Sequence, residues 1–218
     1  MQSLLSLSIS LLLSMSSCSK GELTLSTDLS QLQEGREVAT FAGGCFWCTE
    51  AVFERVNGVE NVVSGYSGGK EENPTYRQVS YGLSTHAEAI QIFYNPEVIT
   101  FDELLEIFFT VAHDPTQVDR QGPDVGKQYR SAIYYHNANQ KASVDKLLDK
   151  YEKEKKFSKP IATEIKAYDK FWLAEDYHQD YYELNPGNPY IINVAVPKVK
   201  KLKKYYSAKV KDQYKNVR

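Results

Sequence analysis

The stretch EVATFAGGCFWCTEAVF, residues 37–53, predicts a strand that turns directly into a helix, with two cysteines at the junction. The residues over 37–42 fit a strand, and the glycine pair at 43–44 lets the backbone turn sharply. From residue 46 to residue 56 the apolar side chains recur at helical spacing. This strand–turn–helix unit is the start of the predicted fold.

Strands and helices alternate along the rest of the chain. Thr100 and Glu103 predict a capping box for a helix over 101–112, and a long polar loop over 113–128 follows it. The alternation indicates an α/β or α+β fold around one mixed sheet, without fixing the strand order. The other predicted strands cover 59–66, 87–94, 131–136 and 163–168, and the other predicted helices cover 76–79, 139–156 and 175–184.

Composition and charge limit the classes of protein that the chain can belong to. The 218 residues are 42% hydrophobic, which suffices for one sizeable core and at most two domains. The formal net charge of −2 gives no reason to expect a nucleic-acid partner. Residues 198–218 are basic, and Val199, Leu202 and Tyr206 form an apolar stripe there. The stripe predicts a solvated amphipathic tail helix, with a membrane-surface role as the weaker alternative.

The N-terminal segment MQSLLSLSISLLLSMSSCSK, residues 1–20, is rich in Leu and Ser and carries no charge before Lys20. Its apolar run is too short for a comfortable membrane span and fits a signal-peptide core, although a basic start is missing. Cys18 follows small residues, as at a lipoprotein cleavage site, and an ordinary signal with an incidental cysteine is the alternative. We expect an exported protein, anchored by lipid on Cys18 in the periplasm or at the cell surface, rather than a cytoplasmic one.

These segments give the expected domain organisation. A signal peptide of the lipoprotein type covers 1–18 and a polar tether covers 19–36. One catalytic domain is expected over 37–206, followed by a basic C-terminal tail over 207–218.

Cys45 and Cys48 form a Cys-x-x-Cys pair at the predicted helix start. The free N–H groups and the dipole of a first helical turn favour an anion, so Cys45 is expected to ionise more readily than a free cysteine. Cys48 lies on the same helical face, near enough for a disulfide after modest adjustment. A general dithiol–disulfide exchanger shares this pattern. Half a zinc site also shares it, but nothing else in the chain completes such a site, and we expect no metal or cofactor.

Phe46 and Trp47 lie between the cysteines, and Glu88 is a second unusual residue. The two rings predict an apolar wall beside a nucleophile, suited to a small group such as a methyl, although part of their surface must belong to the core. Glu88 is in phase with Ile90 and Ile92, and a carboxyl on an apolar face tends to stay protonated and to donate a proton. The other phase would turn Glu88 to water, and periodicity does not decide between the two.

The polar loop over 113–128 is rich in Gly, Pro and Asp, and long loops in compact domains are often functional. Asp124 in the loop, Tyr129 just after it and Tyr76 are candidate polar groups lining a site. Local turn chemistry around the two Asp and Pro pairs of the loop is the alternative.

Six segments occur in order along the chain: GCFWCTE at 44–50, GYSGG at 65–69, NPTYRQV at 73–79, HAEAIQIFYNP at 86–96, HDPTQVDRQGPDVGKQYRSAIYY at 113–135 and AEDYHQDYYELNP at 174–186. Together they resemble the A-type peptide methionine sulfoxide reductases over nearly all of residues 37–206. The resemblance implies an α/β two-layer sandwich with a ferredoxin-like mixed-sheet core and long functional loops.

The resemblance also implies roles for the catalytic residues. Cys45 corresponds to the nucleophile that attacks the sulfoxide sulfur, and Glu88 to the protonated carboxyl that delivers a proton to the sulfoxide oxygen. Tyr76 and Tyr129 correspond to the hydroxyls that hold this oxygen. Phe46 and Trp47 correspond to the family's aromatic wall around the methyl group. Asp124 corresponds to a carboxylate that lines the substrate site.

Cys48 is the main departure, because many members have Gly at this position and recycling cysteines near the C-terminus. This chain resembles the subgroup whose resolving thiol lies inside the motif, so a Cys45 sulfenic acid would give a Cys45–Cys48 disulfide. The resemblance implies specificity for the S epimer and a role in the repair of oxidative damage, and we expect a monomer. Its expected partners are oxidised proteins, peptides or free methionine sulfoxide, and a thioredoxin-like reductant.

Overall fold

The computed structural model describes residues 29–216, and it builds them around one six-stranded sheet. The strands are β1 Glu37–Gly43, β2 Val59–Ser67, β3 Ala87–Tyr94, β4 Arg120–Gln121, β5 Asp124–Val125, β6 Ser131–Tyr135, β7 Glu164–Ala167 and β8 Phe171–Leu173. The α-helices are α1 Leu29–Gln33, α2 Phe46–Phe53, α3 Tyr76–Ser80, α4 Phe101–Ile107, α5 Ala138–Lys153, α6 Tyr181–Leu184, α7 Val196–Tyr205 and α8 Asp212–Lys215. Single π turns cover Phe108–Ala112 and Ile191–Ala195, and 3-10 turns cover Lys127–Tyr129, Asp176–His178 and Ser207–Lys209.

The sheet has the strand order β7-β6-β1-β3-β2-β8, while β4 and β5 form a separate hairpin. All neighbours in the large sheet are antiparallel except β6 and β7. The succession β1-α2-β2-β3-α4-β6, with the central order β6-β1-β3-β2, is the ferredoxin-like arrangement. The predicted fold class, a mixed sheet with helices and a ferredoxin-like core, is confirmed.

Strand β3 is buried on both faces, because each face of the sheet has its own cover. Ile90 and Ile92 belong to the main core under the helices. Ala89 and Phe93 point the other way, into a smaller core against which Leu29 of α1 packs. The strand therefore places every second residue against the active-site helix α2.

Helix α4 begins at the predicted capping box. The Thr100 side-chain oxygen accepts a hydrogen bond from the Glu103 N–H at 3.2 Å, and a Glu103 carboxylate oxygen accepts one from the Thr100 N–H at 2.9 Å. The helix over 101–112 was predicted as one α-helix, and its last turn, Phe108–Ala112, is a π turn instead.

Helix α2 is shorter than predicted, ending at Phe53 rather than at residue 56. Val56 leaves the helix to form a β-bridge with Val210, and Gly58 then adopts a positive φ of 87° that returns the chain into β2. Val210 is buried, so the packed part of the chain continues past residue 206. The apolar stripe predicted for the basic segment is present in α7, where Val199 and Leu202 are buried.

The single helix predicted over 175–184 is wrong. A 3-10 turn and the short α6 replace it, because the Gln179 side chain is held by β2 and Asp180 adopts a left-handed φ of 51°. The Gln179 amide accepts from the Ser64 N–H at 2.9 Å and donates to the carbonyls of Ser64 and Ala174 at 3.0 Å each. Strand β8, which precedes this segment, was not predicted.

No helix within residues 29–216 combines the length and the apolar character that crossing a membrane requires. The predicted signal peptide and Cys18 lie outside the described residues.

Candidate active site

The turn between β1 and α2 brings the two cysteines to the edge of the core. Gly44 has a φ of 85°, and a Cβ at this position would overlap the Gln121 side chain, so the site requires glycine here. Cys45 immediately precedes α2 and Cys48 lies in its first turn, with the Cys48 N–H donating to the Cys45 carbonyl at 3.1 Å. Both are buried free thiols, at 7% and 0% exposure.

Glu88 projects from β3 toward the start of α2 and is 2% exposed. One of its carboxyl oxygens accepts a hydrogen bond from the Phe46 N–H at 3.0 Å. Burial raises the pKa of Glu88 to about 8; the Phe46 N–H opposes the rise, and the charges of Asp124 and Cys48 add to it. The structure thus selects the phase in which Glu88 faces the helix, and it keeps the carboxyl largely protonated near neutral pH.

The expectation that Cys45 ionises more readily than a free cysteine is wrong in this structure. Burial and the hydrogen bond with Cys48 raise the pKa of Cys45. The first N–H of α2 is also engaged by the Glu88 carboxyl rather than being free to stabilise a thiolate. The pKa of Cys48 is lowered instead, by its hydrogen bond with Cys45 and by the nearby Lys198 and Tyr190, against the effect of burial.

Phe46 and Trp47 occupy different layers of the site. Phe46 is completely buried, and its ring lies 5.0 Å from the His178 ring. Trp47 is only partly buried and stacks on Tyr181, with ring centroids 3.8 Å apart and planes 8° from parallel. Its indole N–H donates to Nδ1 of His178 at 3.1 Å, which fixes the plane of the ring. Trp47 is therefore the ring that a substrate can reach, and Phe46 supports the layer behind it.

Tyr76 and Tyr129, which belong to two different elements, lie near enough to Glu88 for its charge to act on both phenols. Tyr76 begins α3, and its backbone N–H donates to Glu175 at 2.8 Å. Burial raises the pKa of Tyr76 to about 12, and the charge of Glu88 adds to the effect. Tyr129 ends the 3-10 turn after the hairpin, and burial followed by the charge of Glu88 also raises its pKa. Both phenols are therefore neutral hydrogen-bond donors at physiological pH.

Asp124, in the β4–β5 hairpin, is half-buried and accepts a hydrogen bond from the Tyr190 hydroxyl at 2.5 Å. The same hydroxyl accepts from the Cys48 sulfur at 3.9 Å. Burial raises the pKa of Asp124, while Tyr190 and the charge of Lys198 oppose the rise. The structure connects the carboxylate of the polar loop to the cysteine pair through Tyr190.

Three residues of the site were not singled out from the sequence. Glu175 holds the Tyr76 N–H and accepts from the Tyr66 hydroxyl at 2.8 Å, and His178 orients Trp47. Both lie in the segment AEDYHQDYYELNP, where the density of acidic, aromatic and His residues was a usable signal. Tyr190 follows that segment, and no local pattern marks it.

The arrangement combines two soft nucleophiles, a largely protonated carboxyl, two phenol donors and an accessible aromatic ring. Within residues 29–216, no group of three or more His, Cys, Asp or Glu side chains could hold a metal ion. The side chains by themselves supply a nucleophile for a polarised sulfur centre and a proton for its oxygen.

The sequence profile described as peptide methionine sulfoxide reductase matches residues 37–211. The chain belongs to this family. The reductase is 49% identical to peptide methionine sulfoxide reductase MsrA 2 of Synechocystis sp. over 185 residues, 85% of this chain and 86% of that protein. It is 52% identical to peptide methionine sulfoxide reductase MsrA of Sulfolobus acidocaldarius, over 79% of this chain and 97% of the relative.

Solved structures agree with this assignment. The reductase is similar to Mxr1 from Saccharomyces cerevisiae in its reduced form, with 35% identity and a TM-score of 0.64 over 71% of this chain and 88% of that one. It is also similar to methionine sulfoxide reductase A of Corynebacterium diphtheriae, with 36% identity and a TM-score of 0.63 over 72% of this chain and 78% of that one. The reductase is therefore an enzyme that reduces methionine sulfoxide, and a general dithiol–disulfide exchanger is not favoured.

Proposed function

We propose that the reductase repairs the S epimer of methionine sulfoxide, in proteins, in peptides or as the free amino acid, with Cys45 as nucleophile and Cys48 as resolving thiol. The cycle passes through a Cys45 sulfenic acid and a Cys45–Cys48 disulfide, which a thioredoxin-like reductant opens. One observation carries the proposal: both thiols and a carboxyl with a pKa of about 8 meet at the first turn of α2.

The first step couples Cys45 to Glu88. The protonated Glu88 carboxyl gives its proton to the sulfoxide oxygen, which makes the sulfur electrophilic, and the Cys45 sulfur attacks this sulfur. The thiol proton of Cys45 restores Glu88. The new S–S bond to the substrate and the substrate S–O bond then break as the hydroxyl moves to the Cys45 sulfur, which leaves a Cys45 sulfenic acid and free methionine. The sulfoxide has then been reduced by two electrons and Cys45 oxidised by two.

The raised pKa of Cys45 fits this coupling. A neutral thiol supplies the proton that the carboxyl loses, so the first step needs no proton from solvent. The raised pKa also keeps Cys45 as a less reactive thiol until a substrate is bound.

Substrate contacts follow from the positions of the remaining side chains. The Tyr76 and Tyr129 hydroxyls hold the sulfoxide oxygen beside Glu88, because both phenols are neutral donors coupled to that carboxyl. Trp47, backed by Phe46, packs on the methyl group. Asp124 lines the opposite side of the site, from the β4–β5 hairpin.

The second step forms the disulfide. The Cys48 sulfur attacks the sulfur of the Cys45 sulfenic acid, an S–S bond replaces the S–O bond, and the oxygen leaves as water. Cys48 is one helical turn from Cys45, and its pKa is lowered, so it is the more readily ionised of the two thiols. Among residues 29–216 these are the only two cysteines, so this part of the chain contains no other resolving thiol.

Export as a lipoprotein is also part of the proposal. The Leu- and Ser-rich segment over 1–17 and the small residues before Cys18 support it. Of the tether expected over 19–36, only the polar stretch over 19–28 can serve as one, because residues 29–33 form α1, whose Leu29 packs against the smaller core. The monomeric catalytic domain follows and ends in a basic tail. Cells that express wild type or Cys18→Ala are fractionated to test this. Wild type should be found in the membrane fraction and carry lipid, whereas Cys18→Ala should not. Wild type recovered from the cytoplasm with an intact Met1 would contradict export.

The Cys48→Ser variant tests the catalytic cycle. It should release about one methionine per enzyme and then stall, because the sulfenic acid has no thiol partner in the folded domain. Rapid quench and intact mass should show wild type losing two hydrogens and the variant gaining one oxygen. Thioredoxin should restart wild type well and the variant poorly, whereas dithiothreitol should rescue the variant in part. Normal turnover of the variant with thioredoxin would show that Cys48 is not the resolving thiol.

A further inference from the structure

Tyr190 connects the cysteine pair to a carboxylate. Its hydroxyl accepts a hydrogen bond from the Cys48 thiol, with sulfur and oxygen 3.9 Å apart, and donates one to Asp124 at 2.5 Å. Burial and the neighbouring Cys45 and Cys48 raise the pKa of Tyr190, so the phenol stays neutral. The Cys48 thiol, the Tyr190 phenol and the Asp124 carboxylate thus form one chain of hydrogen bonds, in which the thiol and the phenol donate and the carboxylate accepts.

The chain holds Tyr190 firmly in this position. Its backbone N–H donates to the Asn188 side-chain oxygen at 2.8 Å, just before the π turn Ile191–Ala195. Its ring meets Trp47 edge-on, with centroids 6.0 Å apart and an interplanar angle of 79°. The hydroxyl is therefore oriented by a local hydrogen bond and by a ring contact, both independent of the cysteines.

The hydrogen bond with Cys45 and the charge of Lys198 favour loss of the Cys48 proton, while burial and the charge of Asp124 oppose it. Lys198 of α7 lowers the pKa of Cys48 and also opposes the rise in the pKa of Asp124. The titratable and charged groups that act on Cys48 from the elements packed around it are Cys45, Glu88, Asp124, Tyr190 and Lys198. Lys198 is the cation of this set, and Tyr190 is the group that bridges the thiol to a proton acceptor.

We propose that Tyr190 is a catalytic residue of the resolving step, passing the Cys48 proton to Asp124 as Cys48 attacks the Cys45 sulfenic acid. This inference rests on the proposed function, because it requires Cys48 to be the resolving thiol. It gives Asp124 a second role, as the proton acceptor after methionine has left.

The step balances in atoms and electrons. The Cys48 thiol proton moves to the Tyr190 oxygen while the Tyr190 proton moves to Asp124, and the resulting Cys48 thiolate attacks the Cys45 sulfur. The S–O bond of the sulfenic acid breaks, and its oxygen leaves as water with a proton from Glu88. The proton on Asp124 returns to Glu88 through solvent. Cys48 is oxidised, the sulfenic sulfur is reduced, and no outside oxidant takes part.

The Tyr190→Phe variant tests the relay, because it keeps the ring against Trp47 and removes only the hydroxyl. Tyr206→Phe is the matched control, since it also removes one hydrogen-bonded hydroxyl, to Thr110, in the C-terminal part of the chain. Each protein is mixed with one equivalent of a methionine sulfoxide peptide and quenched over time. Methionine is counted by chromatography and the disulfide by intact mass, at several values between about pH 6 and pH 8.

Tyr190→Phe should slow disulfide formation about 10–100-fold near neutral pH, since a hydrogen bond to a developing charge is lost, and should slow methionine release far less. Its disulfide rate should rise about tenfold per pH unit, because solvent must then remove the thiol proton, whereas the wild-type and Tyr206→Phe rates should vary little.

Two outcomes would overturn the relay. One is a wild-type rate and pH profile of disulfide formation in Tyr190→Phe. The other is an equal slowing of methionine release and disulfide formation, which would assign Tyr190 a structural role. Failure of the proposed function itself would appear elsewhere, as thioredoxin-driven turnover in Cys48→Ser.

Discussion

Two buried glutamates lie at helix α2, Glu88 of β3 against its N-terminal end and Glu50 within its C-terminal half, and they differ in what surrounds the carboxyl. At the N-terminal end, Glu88 of β3 accepts from the Phe46 N–H and acts electrostatically on the thiols. In the C-terminal half, Glu50 is 1% exposed, and neither of its carboxyl oxygens has a hydrogen-bond partner among the described residues. Burial raises the pKa of both carboxyls, and the charges of Glu54 and Asp180 add to the rise for Glu50.

The comparison separates protonation from catalysis. Burial is the largest cause of the raised pKa of both glutamates, so both favour the protonated form. Only Glu88 also faces reacting groups, the two cysteines and the two phenols of the site. Glu50 faces acids and the Ser64 hydroxyl, which are not part of the site chemistry. A raised pKa therefore identifies a candidate, and the neighbouring side chains decide its function.

Cys45→Ser should give the largest effect at the N-terminal end. A hydroxyl is a poor nucleophile toward sulfur, so methionine production should fall to the uncatalysed background while the fold is kept. The measurement is methionine released per enzyme, with circular dichroism as the check on folding. The matched Cys48→Ser variant should still release its single equivalent. Turnover by folded Cys45→Ser would remove the nucleophile assignment and, with it, the functional difference between the two ends.

Glu88→Gln should follow, with a loss of ~10²–10⁴-fold in the single-turnover rate of methionine formation, because the general acid is gone. The rate of the variant should no longer fall as pH rises through about 8, where wild-type Glu88 loses its proton. Glu50→Gln is the matched control and should stay within about twofold of wild type. Equal losses in both variants would mean that the surroundings do not distinguish the two carboxyls.

The pH dependence of stability should change in both the Glu88→Gln and the Glu50→Gln variant. Between about pH 4.5 and pH 8, folded Glu88 keeps its proton while the unfolded chain loses it, so the contribution of Glu88 to the free energy of unfolding falls as pH rises. Glu88→Gln should remove about 1.4 kcal/mol per pH unit of that decline. Glu50→Gln should act in the same direction, because the pKa of Glu50 is also raised.

Urea unfolding at several pH values measures this contribution. As pH rises, the free energy of unfolding of each variant should increase relative to that of wild type. This increase should be absent below the pKa that the glutamate has in the unfolded chain. A difference from wild type that stays constant with pH would show that burial does not hold the substituted carboxyl in its protonated form.

Trp47→Phe should have the smallest effect at the N-terminal end. The aromatic wall remains, but the hydrogen bond to His178 Nδ1 is lost and the ring is less constrained. We expect KM to rise about 3–10-fold with kcat nearly unchanged, which corresponds to one hydrogen bond. Steady-state kinetics on a methionine sulfoxide peptide provides the test, and a large loss confined to kcat would place Trp47 in the chemical step instead.

Local patterns were enough to predict most of the framework. The strand over 87–94, the capping box at Thr100 and the start of α2 at Phe46 all appear where the sequence placed them. Each depends on residues at most four positions apart, and spacing of this kind is visible in a single sequence. The helix predicted over 175–184 failed for the opposite reason, because Gln179 bonds to β2, 115 positions away.

The sequence by itself determined that a Cys-x-x-Cys pair begins a helix and, through its motifs, which family of reactions the chain performs. Tertiary structure decided that Glu88 faces α2. Both faces of β3 are buried, so the alternation of side chains along the strand is the same whichever way Glu88 points. Tertiary structure also decided that the pKa of Cys45 is raised rather than lowered, since burial and the hydrogen bond with Cys48 outweigh the helix start. Finally, it placed Tyr190 against Cys48, 142 positions earlier in the chain. Desolvation and contacts at such separations arise only when the chain is packed, so no local pattern encodes them.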